Sequence, residues 1–552
     1  MNLFRNLKKG HYILLGVWFL INLLQAIFTD LHSDESYYWV YSQNLAWGFF
    51  DHPPMVALLI KAGYSILQIE LGVRLFFITL STFTMAIIIN EINEQKDLFF
   101  LGVFVLSFPL IHTHIGGFLA IPDIPLVFFT LLFFVLYRKF LEEPGLKISI
   151  VLAIIVAAMV YSKYHAILII FLTLLANLKL LKNKYFWVIV LLSILLLFPH
   201  IWWQIDNQLP SFRYHLSGRA KPFRFKYVHS NLLGQLLMAG PLTGIIVFWK
   251  VWKFKIRDVF ERTLVFTIAG FYVVLFIFSF WNRIEAHWIA AVIPLLMLVS
   301  YPLITNDPNS KKWFIRLALP TIILLFLFRI YIGSNAIPNI GSSKITFYKR
   351  GDVAKEIQQL ANGKKVGFFD NYAFISNYIF YTGEEAVMLS NPGYRFCQYD
   401  LLNDEASADG DSLFIVYPWR KSPVELSEVC NGEKKGFKVI EEFQSLKGLK
   451  ISINNIKETK GFFELDITMQ NKTGKIIFLT TPSEPSIGWI QGDKETSLSS
   501  IYNIINKESL NREETVTLII HIPSSEIDKG KPFSIYTHTS ENNRGEIVTL
   551  KF

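Results

Sequence analysis

The chain has 552 residues, 52% of them hydrophobic and only 18% charged, with 49 Phe and 13 Trp, a balance too apolar for a water-soluble enzyme of this length. The formal net charge of +9 is uneven: residues 1 to 340 carry 28 Lys and Arg against 16 Asp and Glu, and residues 341 to 552 carry 25 against 28. Because the basic residues interrupt apolar runs and form no stripe beside aromatic platforms, they speak against nucleic acid and for loop charge on a membrane protein.

A bilayer core of about 30 Å needs about 20 mainly apolar residues per helix. Such stretches centre on 11–28, 71–90, 98–115, 123–140, 148–162, 165–180, 185–203, 229–249, 263–281, 287–304 and 313–332. They predict a polytopic α-helical membrane domain over 1–340 with about 11 transmembrane helices. No small-residue cleavage site follows the first apolar run, which continues into Thr29, Asp30, Leu31 and His32, so this run is expected to stay as the first span.

Orientation follows from the Lys and Arg of short loops. One alternate set holds Arg5, Lys8 and Lys9; Arg138, Lys139 and Lys147; Lys179, Lys182 and Lys184; Lys250, Lys253, Lys255 and Arg257; and Lys311 and Lys312. That set predicts a cytoplasmic N-terminus. One outer loop departs from the rule with Arg213, Arg219, Lys221, Arg224 and Lys226, a cationic cluster suited either to an anion or to lipid headgroups.

With an odd number of spans, the segment after about 340 lies outside the cytoplasm. Its first part, 341–436, reads as an α/β subdomain: strand-like Lys365 to Asp370, a helix over Tyr372 to Tyr381, and a buried strand over Ser412 to Tyr417. From 437 to 552 the alternating runs Leu449 to Ile453, Phe462 to Met469, Thr515 to Ile522 and Phe533 to Thr537 suggest a β-sandwich-like subdomain. Cys397 and Cys430 stand as either a disulfide or a reduced pair, and no CxxC motif exists. Asp370-Asn371-Tyr372 and Ser390-Asn391-Pro392-Gly393 read as turns.

Carboxylates near membrane spans are costly to bury and mark function by default. The first outer loop runs Asp34-Glu35-Ser36-Tyr37-Tyr38-Trp39 and then Asp51-His52-Pro53-Pro54. Asp34 and Glu35 also read as a helix-start pair after Ser33, and the aromatics at 37, 38, 39, 41 and 47 describe an amphipathic helix lying in the interface. The second outer loop holds His112-Thr113-His114 and Pro122-Asp123-Ile124-Pro125. Asp123 there suits a Pro-flanked helix start, and the histidines lack metal-site spacing. Tyr161-Ser162-Lys163-Tyr164-His165 briefly interrupts two apolar runs, where Lys163 either acts or snorkels. The later loops carry Arg213-Tyr214-His215 through Arg219, and Arg283-Ile284-Glu285-Ala286-His287-Trp288.

In order and wording these loops resemble the polytopic GT-C fold glycosyltransferases that use polyprenyl-phosphate sugars, a family including protein mannosyltransferases and the lipid A aminoarabinose transferase. The likeness runs from about Leu31 to Pro294 and is carried by Asp34-Glu35 before Tyr37-Tyr38, Asp51-His52-Pro53-Pro54, Pro122 to Pro125, Ser162-Lys163-Tyr164, and Arg283 to Trp288.

The resemblance implies a transferase of the bacterial inner membrane moving a sugar, hexosyl or pentosyl, from a polyprenyl-phosphate donor to an extracytoplasmic lipid, glycan or protein with inversion. Asp34 is then the general base with Glu35 supporting, and Asp123 the second acidic position. Lys163, Arg213, Arg219, Arg283 and His52 become candidates for the donor phosphate, though some relatives have Lys where His52 stands. Tyr37, Tyr38, Glu285 and His287 would support them. Asp51 and His215 resemble positions that hold a divalent metal ion in the aminoarabinose-transferase relatives. Membrane lipids are the remaining expected partners. An oligosaccharide ligase or polymerase with a pyrophosphate-linked donor would use the same loops. A lipid or sugar transporter would place its charges within the spans, whereas here they crowd one rim.

Overall fold

The computed structural model describes residues 4–215, 223–333, 349–402, 404–417, 425–429, 433–459, 461–480, 484–492, 494–540 and 543–550. It divides into two compact units, 1–348 and 349–552.

The first unit is helical. Its elements are α1 (Lys9–Phe28), α2 (Ser33–Gln43), α3 (Met55–Tyr64), α4 (Glu70–Ile92), α5 (Leu98–Leu106), α6 (Asp123–Glu142), α7 (Leu146–Ser162), α8 (His165–Ala176) and α9 (Lys184–Asp206). After them come α10 (Pro210–Arg213), α11 (Phe225–Met238), α12 (Gly244–Trp252), α13 (Val259–Phe278), α14 (Ile293–Thr305) and α15 (Pro308–Ile332).

Among the described residues seven helices are long and apolar enough to cross a membrane: α1, α4, α6, α9, α13, the stretch Ala286–Thr305 that ends in α14, and α15. The expected count of about eleven is therefore not confirmed, and the other four apolar stretches show why. At 1.5 Å per residue α7 and α8 reach only about 26 and 18 Å, short of a hydrocarbon core of about 30 Å. The 98–115 stretch breaks where Pro109, which has no N–H to donate, opens a 3₁₀ turn over Pro109–His112. The 229–249 stretch splits at Gly240-Pro241, where Gly240 adopts φ 129°, a conformation closed to residues with a side chain. The core threads α4, α5, α6 and α14 through residues such as Ile88, Phe104, Phe134 and Leu296.

Helix α2 does not present one apolar and one exposed face. Every residue from Glu35 to Ser42 is buried, so its aromatics pack on all sides: Tyr41 stacks on Phe49 at 4.3 Å and meets Tyr37 edge-on at 4.8 Å. The aromatic density expected to float the helix at the membrane surface instead fills the space around it.

The second unit opens with α16 (Arg350–Ala361), β1 (Lys365–Phe369), α17 (Tyr372–Thr382), β2 (Ala386–Leu389), β3 (Leu413–Tyr417), β4 (Glu425–Val429) and β5 (Glu433–Ile440). The sheet order is β2-β1-β3-β5-β4, with β1 parallel to β2 and β3 and with β5 antiparallel to β3. The boundary expected after residue 436 is corrected by β5, whose residues 437–440 complete this sheet by pairing with Leu413–Val416. Beyond it, β6 (Leu449–Thr459) and β7 (Phe462–Asn471) form a three-stranded antiparallel sheet with Thr515–Pro523. A four-stranded sheet contains Ser486–Gln491 and Phe533–His538. The alternation of Phe463, Leu465, Ile467 and Met469 gives β7 one buried face, which shares a core with Trp489 and Ile535 of the other sheet. At the first turn Asn371 caps α17 by accepting from Phe374 N at 3.0 Å. Cys397 is buried and bridges to no cysteine among the described residues; Cys430 lies outside them, so the choice between a disulfide and a reduced pair also stays outside the described structure.

Candidate active site

Helix α2 begins at a capping box in which the His32 N–H donates to Glu35 Oε2 at 2.9 Å. Glu35 is completely buried, and Arg74, within α4, meets it with two parallel bonds: Nε to Oε1 at 2.8 Å and Nη2 to Oε2 at 2.6 Å. Ala120 N adds a further bond to Oε1 at 2.8 Å. Burial alone would push the Glu35 carboxyl up, but the Arg74 charge and these donors outweigh it and hold it below the usual range. Arg74 Nη1 also donates to Ala26 O at 2.9 Å and Thr29 O at 2.7 Å, and Nη2 to Asp30 O at 2.7 Å. One guanidinium thus satisfies carbonyls at the end of α1 and fixes the start of α2. Glu35 has both oxygens engaged, so its geometry is that of an anchor. Asp34, on the next position of the same first turn, keeps 42% of its side chain exposed, with its Oδ2 3.8 Å from His32 Nδ1.

A second buried pair joins α6 to the short link between α7 and α8. Asp123 is the first residue of α6, and Lys163 is held in an extended conformation at φ −163°, ψ 142° between the two helices. Lys163 Nζ donates to both Asp123 oxygens at 2.8 Å, and the two side chains are 8% and 6% exposed. This decides between the readings of each: Lys163 does not snorkel, and Asp123 does more than start a helix.

Histidines surround this pair. His114 stacks on His287 with ring centroids 4.3 Å apart. Burial, and then the His287 charge, push its imidazole well below the ordinary value, with Asp123, Lys163 and His32 also within electrostatic reach. His52 packs edge-on against Tyr38 at 5.3 Å, and its buried Nδ1 has no hydrogen-bond partner among the described residues. Its surroundings hold Asp51, Lys163, His215 and Asp123, and burial pushes its imidazole down to about 4.

Asp51 accepts a 2.5 Å hydrogen bond on Oδ1 from the Tyr41 hydroxyl, and His215 Nε2 lies 3.1 Å from the Asp51 carbonyl oxygen. The loop that leads to Asp51 is braced from α9: His200 Nδ1 is 2.6 Å from Trp47 O, Gln204 Nε2 donates to Tyr164 Oη and to Ser211 Oγ at 2.9 Å each, and Ser211 Oγ donates to Phe49 O at 3.0 Å. Asp51 and His215 are therefore brought together, as two groups and not three. An Nε2–H given to the carbonyl leaves the lone pair on His215 Nδ1, while Asp51 Oδ1 accepts from Tyr41; no group of three His, Cys, Asp or Glu among the described residues could hold an ion.

The remaining candidates sit further out. Arg283 pairs with Glu285 at 3.3 Å and is 75% exposed, and the exposed Arg213 donates to Gln208 Oε1 at 3.3 Å. Arg219 lies outside the described residues. Sequence reasoning missed Arg74 and gave no site role to Tyr41, His114 or the His200–Gln204 brace. Arg74 carried a signal: an arginine inside the apolar 71–90 run is costly unless paired, so a buried carboxylate was to be sought for it. The brace had none, because its polar groups look ordinary at the end of an apolar helix.

Residues 51–203 match the family model described as dolichyl-phosphate-mannose-protein mannosyltransferase. Over 405 residues, 69% of this chain and 83% of the relative, the sequence is 21% identical to the lipid A galacturonosyltransferase RgtD of Rhizobium johnstonii. Among solved structures, ArnT from Cupriavidus metallidurans in its apo state is similar with a TM-score of 0.56 at 12% identity, covering 78% of this chain and 98% of that one. The same protein bound to undecaprenyl phosphate gives 0.52 at the same identity and coverage. The matched segment contains Asp51, His52, Asp123 and Lys163. The chain thus has the fold of the GT-C glycosyltransferases, and the resemblance read from its loops is supported by the family model, the curated relative and the solved structures alike.

Proposed function

We propose that this chain is an inner-membrane glycosyltransferase that moves one sugar from a polyprenyl-phosphate carrier to an extracytoplasmic acceptor with inversion at the anomeric carbon. The observation that carries the reading is the buried Lys163–Asp123 pair, set among His52, His114 and His287. A sugar leaving a polyprenyl phosphate needs a fixed cation where charge develops on the phosphate oxygens. Lys163 Nζ points both of its observed bonds at one carboxylate, so Asp123 holds the ammonium in place. An arriving phosphate takes up part of that bonding, and its hydrogen bonds to Nζ strengthen as the C–O bond breaks. The unpartnered His52 Nδ1 supplies a second polar contact beside it. Arg213 and Arg283, both exposed, suit the entry of the anionic donor.

Asp34 takes the proton of the acceptor hydroxyl or amine as that atom attacks the face opposite the phosphate, which gives inversion. Its position in the first turn of α2 is fixed through its neighbour Glu35, held by Arg74. Tyr37 and Tyr38 follow that turn and pack against Tyr41. The relative named for lipid A favours a lipid acceptor, and the basic loops at the opposite helix ends favour a cytoplasmic N-terminus. No step of this scheme runs through a metal ion.

The test is transfer by wild type, Asp34→Asn and Asp34→Glu with polyprenyl-phosphate sugars in membrane extract. Asp34→Asn is expected to lose at least 100-fold in rate while melting like wild type, with partial recovery in Asp34→Glu. Full activity of folded Asp34→Asn removes Asp34 as the base.

A further inference from the structure

A cavity of the first unit lies away from the candidate active site, at the other end of the same helices. It encloses about 690 Å³, well within the range that holds small amphipathic ligands. Arg138 to Glu142, the last turns of α6, form one wall, and Asp123 starts that helix. Fifteen to nineteen residues at 1.5 Å each place the wall about 23–29 Å from Asp123, at the opposite headgroup level. The first turns of α13 and the end of α14 close it.

Its floor is apolar, with Phe140, Leu141, Leu180, Leu264, Leu298 and Val299, but its rim carries both signs of charge. The cations are Arg138, Lys179 and Arg257; the carboxylates are Glu91, Glu142, Asp258 and Glu261. Some of these are spoken for. Arg138 pairs with Glu91 at 3.0 Å and lies over the Phe260 ring at 4.3 Å. Arg257 pairs with Glu261 at 3.3 Å, and Asp258 caps α13 by accepting from Glu261 N at 2.7 Å. Among the described residues Lys179 and Glu142 have no ion-pair partner, and each is exposed at the cavity edge.

Three cations against four carboxylates disfavour a headgroup that is a net anion, because its phosphate would meet more negative than positive charge. A headgroup that brings its own cation suits both signs: its phosphate oxygens accept from Lys179 while an ammonium donates to Glu142. From the apolar floor, the charged rim of both signs and the two unpaired charges, we infer that this cavity holds the headgroup of a zwitterionic, primary-amine phospholipid of the leaflet opposite the active site. Such a lipid ties together the ends of α6, α13 and α14, whose other ends carry Asp123 and lead in to His287.

The test is native mass spectrometry of the full chain after exchange into equimolar phosphatidylethanolamine, phosphatidylcholine and phosphatidylglycerol. Wild type is expected to retain phosphatidylethanolamine at least fivefold over the other two, and the Lys179→Gln/Glu142→Gln variant to lose that preference. Both substituted side chains are exposed, so unchanged elution and melting will show the variant folded. Equal retention of the three lipids by wild type, a preference for phosphatidylglycerol, or an unaltered preference in the double variant overturns the inference. None of these readouts uses transferase activity, so the inference stands or falls apart from the proposed reaction.

Discussion

Replacing Arg74 by alanine tests whether the start of α2 is built as described. The change removes six hydrogen bonds, two of them to Glu35 and four to Ala26, Thr29 and Asp30. It leaves the Glu35 carboxylate completely buried, with only the Ala120 and His32 N–H groups beside it. Breaking a buried pair from one side costs about 3–5 kcal/mol. At about 2–4 °C per kcal/mol for large domains, Arg74→Ala should melt at least about 6 °C below wild type in detergent, read by fluorescence-detected size exclusion after a heat step. Arg74→Met combined with Glu35→Leu removes both charges and should recover at least half of that loss, since no charge is left stranded. An Arg74→Ala protein that melts like wild type, or a double variant no better than the single, would refute the buried anchor.

Three further outcomes follow from the same geometry. Lys163→Gln strands Asp123 and should cost about 3–5 kcal/mol of stability; Lys163→Gln with Asp123→Asn should regain stability but stay at least about 100-fold slow in transfer, and recovery of both together would make the pair merely structural. Tyr41→Phe deprives Asp51 of its 2.5 Å donor and should cost about 1–3 kcal/mol, seen as a melting temperature a few degrees lower; an unchanged value would show that the bond carries nothing. Stability should also fall with pH because of His52: its folded value near 4 lies below the ordinary 6.5, so between those values the unfolded chain binds the extra proton. The contribution is whole above pH 6.5 and is lost as pH falls toward 4, about 1–3 kcal/mol in all. His52→Gln should flatten that part of the melting-versus-pH curve, and an identical slope in the variant would assign the effect elsewhere.

What the sequence could show depended on whether a residue acts alone or through a distant partner. The spans of α4, α6 and α9 were legible because twenty apolar residues in a row have one physical meaning in a bilayer. Breaks at Pro109 and Gly240 were visible as residue types, but hydropathy averages over them, so the expected stretches include helices shorter than the seven that reach the length of a span. In the second unit the alternating runs in β6 and β7 folded as strands, whereas β5 was cut by the boundary expected where the pattern changes to short alternating strands, and only its pairing with β3 shows to which sheet it belongs. The loops named Asp123 and Lys163 separately, and only the fold shows that forty residues apart they form one buried pair. Glu35 looked like a helper of Asp34 until Arg74 was seen to take both its oxygens. The crowding of α2 was misread for a similar reason: five aromatics near a membrane suit an interface as well as a core, and packing against Phe49, His52 and Tyr64 decides between them.

The most direct test of the central claim is a donor comparison with purified wild-type protein and Asp34→Asn. Polyprenyl-phosphate and polyprenyl-pyrophosphate sugars are supplied in parallel with membrane extract, and the released carrier is followed by mass spectrometry. Release of the monophosphate carrier by wild type, lost in folded Asp34→Asn, is the predicted result. Release of the pyrophosphate carrier alone, or no Asp34-dependent release from either, contradicts it.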